Sequence, residues 1–73
     1  MKLPRISGRE LIKKLQRCGF IATRQKGSHV RLEKRIGEKL IKLTVPVHPE
    51  LKKGTLNRIL KDAEVSVEEL DEA

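Results

Sequence analysis

The stretch Lys26-Gly27-Ser28-His29-Val30-Arg31-Leu32-Glu33-Lys34-Arg35 reads as a tight turn running into a strand. From His29 onward polar and apolar residues alternate, with Val30 and Leu32 on one face and His29, Arg31 and Glu33 on the other. A period of two fits a strand buried on one side and does not fit a helix. Upstream, Phe20 to Gln25 is short, partly β-branched and pinned between Gly19 and Lys26-Gly27, which suits a second strand. Downstream, Ile36-Gly37-Glu38 turns the chain into Leu40 to Val45, where Ile41, Leu43 and Val45 form one row. Pro46 and Pro49 stop that strand. Links this short join antiparallel neighbours, so the three strands form a meander.

Helical patterns flank the strands. Ser7-Gly8-Arg9-Glu10 has the form of a capping box, and Leu11, Ile12, Leu15 and Cys18 follow at helical spacing. Gly19 supplies the left-handed position that ends this helix, predicted over residues 8–18. Gly54-Thr55 opens a second helix whose buried stripe is Leu56, Ile59, Leu60 and Ala63. Ser66-Val67-Glu68-Glu69 repeats the capping pattern and starts a last short helical turn. The order α-β-β-β-α predicts a small α+β domain with a three-stranded antiparallel sheet and both helices on one face. The other face is left for solvent or a ligand.

Composition narrows the function. The 73 residues carry 17 Lys+Arg against 10 Asp+Glu, a net +7, and only 37% are apolar. Residues 1–73 therefore form one domain that needs nearly all its Leu, Ile and Val for a single core. No space is left for a large cofactor pocket, which excludes a flavin or nicotinamide enzyme. The lone Cys18 excludes an internal disulfide and a Cys-based zinc site, and its place on the helical stripe suits packing. No apolar run approaches the ~18 residues of a membrane span. Met1-Lys2-Leu3-Pro4-Arg5 lacks the apolar stretch of a secretory signal. A cytoplasmic protein without a membrane segment is expected.

Charge is unevenly placed. Residues 1–63 hold all 17 bases against five acids, a net +12, while residues 64–73 hold five acids and no base. A body so basic favours a polyanion, nucleic acid first; the plainer alternative is a solvated basic surface. The acidic tail reads either as a solvated terminus or as a segment that screens the basic body or docks elsewhere. Phe20 is the sole aromatic, so a platform that stacks single-stranded bases is disfavoured.

Four residues of the opening stretch could carry chemistry. Gly27 lets the backbone approach a phosphate, Lys26 and Ser28 add donors, and His29 offers proton transfer near neutral pH. Alternation turns His29 away from the core together with Arg31, with Arg24 and Lys26 on the adjoining strand or turn. The plainer reading is a polar surface histidine beside an ordinary turn. His48, inside Pro46-Val47-His48-Pro49, is either a second acid or base or a loop residue placed by its prolines. Two histidines without carboxylates at a fitting spacing make a poor metal site. Lys52-Lys53-Gly54-Thr55 combines helix-entry N–H groups, a hydroxyl and two ammonium groups, and is either an RNA-backbone contact or simply a helix cap in a basic loop. It lacks the spacing of a P-loop.

Together these blocks resemble the HicA (YcfA-like) toxins of bacterial and archaeal toxin–antitoxin pairs. The resemblance rests on Glu10-Leu11-Ile12-Lys13-Lys14-Leu15 running into Cys18-Gly19-Phe20, on Arg24-Gln25-Lys26-Gly27-Ser28-His29, and on Val45-Pro46-Val47-His48 with Leu51-Lys52-Lys53-Gly54-Thr55-Leu56. Ile59-Leu60-Lys61 and Ser66-Val67-Glu68-Glu69 extend it over nearly the whole chain. It implies a double-stranded-RNA-binding-like fold, which reads RNA by shape and phosphates, put to use as a metal-independent mRNA interferase. It also implies a HicB-like antitoxin that silences the nuclease, and no small-molecule cofactor.

The family's functional histidine maps onto His29. The expected RNA-binding set is Arg24, Lys26, Gly27, Ser28, Arg31, Lys52, Lys53 and Thr55, with His48 as the possible second acid or base. The chain departs from the family at Glu64, where many members carry Gly, and at Val30, where a second polar or histidine residue is common. The first departure affects the end of the second helix, and the second bears on RNA contacts beside the site. Two other readings stay open from the residues alone: a non-catalytic RNA-binding module of this fold, and an interaction domain whose basic face meets an acidic partner.

Overall fold

Reciprocal caps start the first helix. In the computed structural model, which describes residues 3–73, α1 spans Gly8–Arg17. Ser7 Oγ accepts from the Glu10 N–H at 3.1 Å, and the Glu10 carboxylate accepts from the Ser7 N–H at 3.3 Å. Met1 and Lys2, the beginning of the charged start, lie outside the described residues. At the other end Gly19 takes φ 105°, its N–H donating to the Gln16 carbonyl and the Phe20 N–H to the Leu15 carbonyl. This is the paired pattern of a Schellman stop. Phe20, expected as the first strand residue, closes this helix end with its ring buried, and β1 starts one residue later, at Ile21–Lys26.

β2 (His29–Ile36) and β3 (Lys39–Pro46) complete an antiparallel sheet in the order β1-β2-β3. Both hairpins turn on two residues, Gly27-Ser28 and Gly37-Glu38, with the glycines at φ 60° and 59°. A left-handed first residue matches the twist of the flanking strands, and only glycine adopts it without strain. Val30 lies opposite Val45, and Leu32 opposite Leu43, so the two rows read from the sequence meet in register. With Ile41 they form the buried face of the sheet.

That face takes both main helices, as expected. α1 buries Leu11 and Leu15; α2 (Lys53–Ala63) buries Leu56, Ile59, Leu60 and Ala63 in the same cluster as the strand rows. Cys18 packs, half-buried, against that cluster. The described residues measure only 18 Å along their short axis, the depth of one sheet and one helix layer. None of them is a buried polar or charged residue. Lys34 continues the inner row of β2 beyond Leu32. Its ammonium donates to the Cys18 carbonyl at 2.7 Å and lies 5.6 Å from the Phe20 ring centroid, so it satisfies the end of α1.

The acidic tail is a docked helix. α3 (Val67–Glu72) starts on the second capping box, Ser66 with Glu69, and buries Leu70 completely. Lys14 of α1 donates to the Leu70 carbonyl at 3.2 Å. The tail thus covers part of the basic body through an apolar anchor. Of the described helices, none is long and apolar enough to cross a membrane.

Gly8 has a role beyond the cap. Its N–H donates to the His48 carbonyl at 2.9 Å, and a Cβ there would lie 2.0 Å from the Pro46 carbonyl oxygen. The start of α1 therefore rests directly on the chain leaving β3, and only glycine allows the approach.

Candidate functional site

The open face of the sheet is built from the residues that alternate away from the core. Its first row is Lys26, His29 and Pro46; its second is Arg24, Arg31 and Thr44. A β-bulge sets this arrangement. The pairing passes from Ala22 opposite Leu32 to Arg24 opposite Arg31, so Thr23 is the extra residue. Because of the bulge, Ala22 stays on the inner side while Arg24 still faces outward beside Arg31. Bulges re-aim side chains in this way near functional sites. Glu33, further along, accepts from the Thr23 hydroxyl at 3.1 Å and lies opposite Lys42.

Two hollows meet at His29. One is lined by Arg24, Lys26, His29, Arg31 and Thr44. The other runs from His29 and Thr44 over Pro46 to Thr55, Arg58, Ile59 and Asp62 on α2. His29 and Thr44 belong to both, so the pair forms one trench from the hairpin across the sheet to the flank of α2. Arg24 and Arg31 stand directly across from each other, a like-charge pairing that opposes sheet formation. Among the described residues the one ion pair joins Lys39 to Glu64, so Arg24, Lys26 and Arg31 are held in no ion pair. Among the same residues, no three His, Cys, Asp or Glu side chains gather as a metal site requires.

Of the expected binding set, the trench brings together Arg24, Lys26, His29, Arg31 and Thr55. Gly27 and Ser28 form the exposed turn beside it, and the Ser28 carbonyl accepts from the Val47 N–H at 2.6 Å. Lys52 and Lys53 stand exposed at the N-terminal end of α2, outside both hollows. His48 is exposed and lines neither hollow; its backbone is tied to Gly8. Val30 points into the core and takes no part in the open face.

Thr44, Arg58 and Asp62 were not among the expected site residues. A signal existed for two of them: Thr55, Arg58 and Asp62 recur at i, i+3 and i+7, one polar ridge beside the apolar stripe of α2.

A family model described as the HicA toxin of bacterial toxin–antitoxin pairs matches residues 8–65, from the first residue of α1 to the residue after Glu64. The chain belongs to the HicA toxin family. No individually curated protein matches it. Membership makes it the toxin member of a pair, with an antitoxin as partner. The matched span contains the whole trench, so every HicA residue that meets at His29 lies within the family's own domain.

Proposed function

We propose that this HicA toxin is a metal-independent endoribonuclease that cuts mRNA in the cytoplasm, with His29 moving a proton at the scissile phosphate. The observation that carries the reading is the position of His29. It is the residue where two hollows meet, beside Arg24, Lys26 and Arg31, which form no ion pair among the described residues. RNA backbone laid along this trench meets Arg24, Lys26 and Arg31 on one side of His29 and α2 on the other.

The chemistry needs no redox group. The ribose 2′-oxygen attacks the adjacent phosphorus as its proton leaves, the bond to the 5′-oxygen breaks, and that oxygen takes up a proton. The products are a 2′,3′-cyclic phosphate and a 5′-hydroxyl. His29 takes the first proton or supplies the second; Lys26, Ser28 and Arg31 hold the phosphate and its growing negative charge. Gly27 lets the backbone of the turn come close, and Lys52, Lys53 and Thr55 bind the strand beyond the cut. His48 and water are the sequence-based choices for the second proton step. A HicB-like antitoxin is the partner that silences this activity.

Cleavage of a labelled mRNA in EDTA tests the reading. Replacing His29 with Ala should slow cutting by about 10²–10⁴-fold, the usual scale of acid–base catalysis, while salt-sensitive RNA binding persists. Equal cutting by wild type and His29→Ala would remove His29 from the chemistry. Binding without cutting by either would leave an RNA-binding module of the same fold.

A further inference from the structure

Two proton transfers are required and His29 can perform only one of them at a time. The α2 side of the trench holds a carboxylate and a guanidinium that the fold itself does not use. Asp62 and Arg58 share the hollow with His29. Neither makes a side-chain hydrogen bond or ion pair among the described residues. Both are exposed to an incoming ligand, and Thr55, one turn before Arg58, is half-buried on the same ridge.

The other carboxylates of the basic body are placed differently. Glu10 is held in the cap of α1, and Glu33 is bonded to Thr23. Glu38 lies in the far hairpin turn, and Glu50 lies in the loop before α2. None of these four lines the hollow. Asp62 is thus the carboxylate that lines this hollow together with His29. The hollow has a volume of about 370 Å³, within the ~300–1,000 Å³ of ordinary ligand pockets. Pro46 and Ile59 give it an apolar floor against which a sugar can rest.

We propose that Asp62 is the general base of the ribonuclease reaction and Arg58 its phosphate clamp, with His29 acting as the acid. This assignment rests on the ribonuclease reading above and completes it. The Asp62 carboxylate takes the 2′-hydroxyl proton as the 2′-oxygen bonds to phosphorus. Arg58 donates to the non-bridging oxygens as negative charge collects on them. Protonated His29 gives its proton to the 5′-oxygen as the bond from phosphorus breaks. Asp62 ends protonated and His29 neutral, and exchange with water restores both.

A leaving-group experiment separates the roles. The substrates are an oligoribonucleotide carrying the mapped cut site and the same strand with sulfur in place of the bridging 5′-oxygen. A thiolate leaves without help from an acid, so the sulfur substrate bypasses the proton donor and still needs the base. Asp62→Asn should lose at least about 10²-fold in kcat on both substrates, as expected for loss of a general base. His29→Ala should lose a similar factor on the oxygen substrate and recover most of it on the sulfur one.

Arg58→Gln should lose about 10²-fold and weaken binding of a non-cleavable 2′-deoxy strand. Lys61→Gln is the charge-matched control, because Lys61 lies on α2 but outside this hollow. It should stay within about threefold of wild type, the effect of net charge alone. Asp62→Asn cutting at the wild-type rate would overturn the assignment while leaving the ribonuclease reading intact. Rescue of Asp62→Asn rather than His29→Ala by sulfur would overturn it as well, by exchanging the two roles. A wild-type protein that leaves the oxygen substrate whole would overturn the ribonuclease reading and this assignment together.

Discussion

The two faces of the sheet obey opposite rules, although they are made from alternate residues of the same strands. On the inner face Val30 meets Val45 and Leu32 meets Leu43, each pair favourable by cross-strand packing. On the outer face Arg24 meets Arg31, a pairing that costs stability, and the hollow around it collects two further cationic or titratable side chains, Lys26 and His29. Such a small domain buries modest apolar surface and has little stability to spare. A repulsive pair maintained by a bulge at Thr23 is therefore most economically explained by what the outer face binds. The inner face answers to folding; under the function proposed above, the outer face answers to a polyanion.

Neighbouring substitutions on β2 break that contrast most directly. Leu32 is fully buried, and Leu32→Ala should cost about 2–5 kcal/mol through lost transfer energy and the cavity left behind. That is comparable with the whole stability of a domain this size, roughly 3–5 kcal/mol, so the variant should be largely unfolded by circular dichroism at 25 °C. Arg31→Gln, one residue away, should change the urea midpoint by no more than about 0.5 kcal/mol equivalent. It should also lower the salt dependence of RNA binding by close to one released counterion, a slope change of about 0.7. If Arg31→Gln destabilised the fold as Leu32→Ala does, the division between the faces would be lost.

A second break concerns the seam between α1 and the end of β3. Gly8→Ala places a methyl group against the backbone of Pro46 and Val47, which cannot rotate aside as a side chain would. The expected cost is about 1–3 kcal/mol, the range for overpacked sites, read as a lower denaturant midpoint. This contact also marks where the sequence stopped being legible. The capping boxes, the two glycine turns and the period-two alternation are local patterns, and each appears in the structure at the residues that spell it. His29 could be turned outward on the same basis. The close approach at Gly8, the bulge at Thr23 and the meeting of Arg58 and Asp62 with His29 depend on residues far apart in the chain. Gly8 looked like a helix start because its neighbours Ser7 and Glu10 explain it without reference to Pro46. Lys52 and Lys53 carried the right chemistry, but the turn of α2 directs Thr55, Arg58 and Asp62, not these lysines, into the hollow.

The smallest effect lies at the two helix stops, which share one hydrogen-bond pattern and differ in one residue. α1 ends on Gly19; α2 ends on Glu64, held at φ 58° with its N–H donating to the Lys61 carbonyl and the Val65 N–H to the Leu60 carbonyl. A non-glycine residue in the left-handed region costs about 1–2 kcal/mol. Glu64→Gly removes that strain. It also gives the unfolded chain more freedom, worth about 0.4–1 kcal/mol, and deletes the exposed pair with Lys39, worth about 0–1 kcal/mol. The net expectation is a gain of about 0.3 kcal/mol, a rise in Tm of about 1–2 °C. Glu64 lies outside the trench, so cleavage at temperatures where both proteins are folded should be unchanged. A fall in Tm would mean that the Lys39–Glu64 pair and the added freedom of the unfolded chain together outweigh the strain, and a Lys39→Gln variant, which removes the pair alone, would show how much of that is charge holding α2 to the sheet.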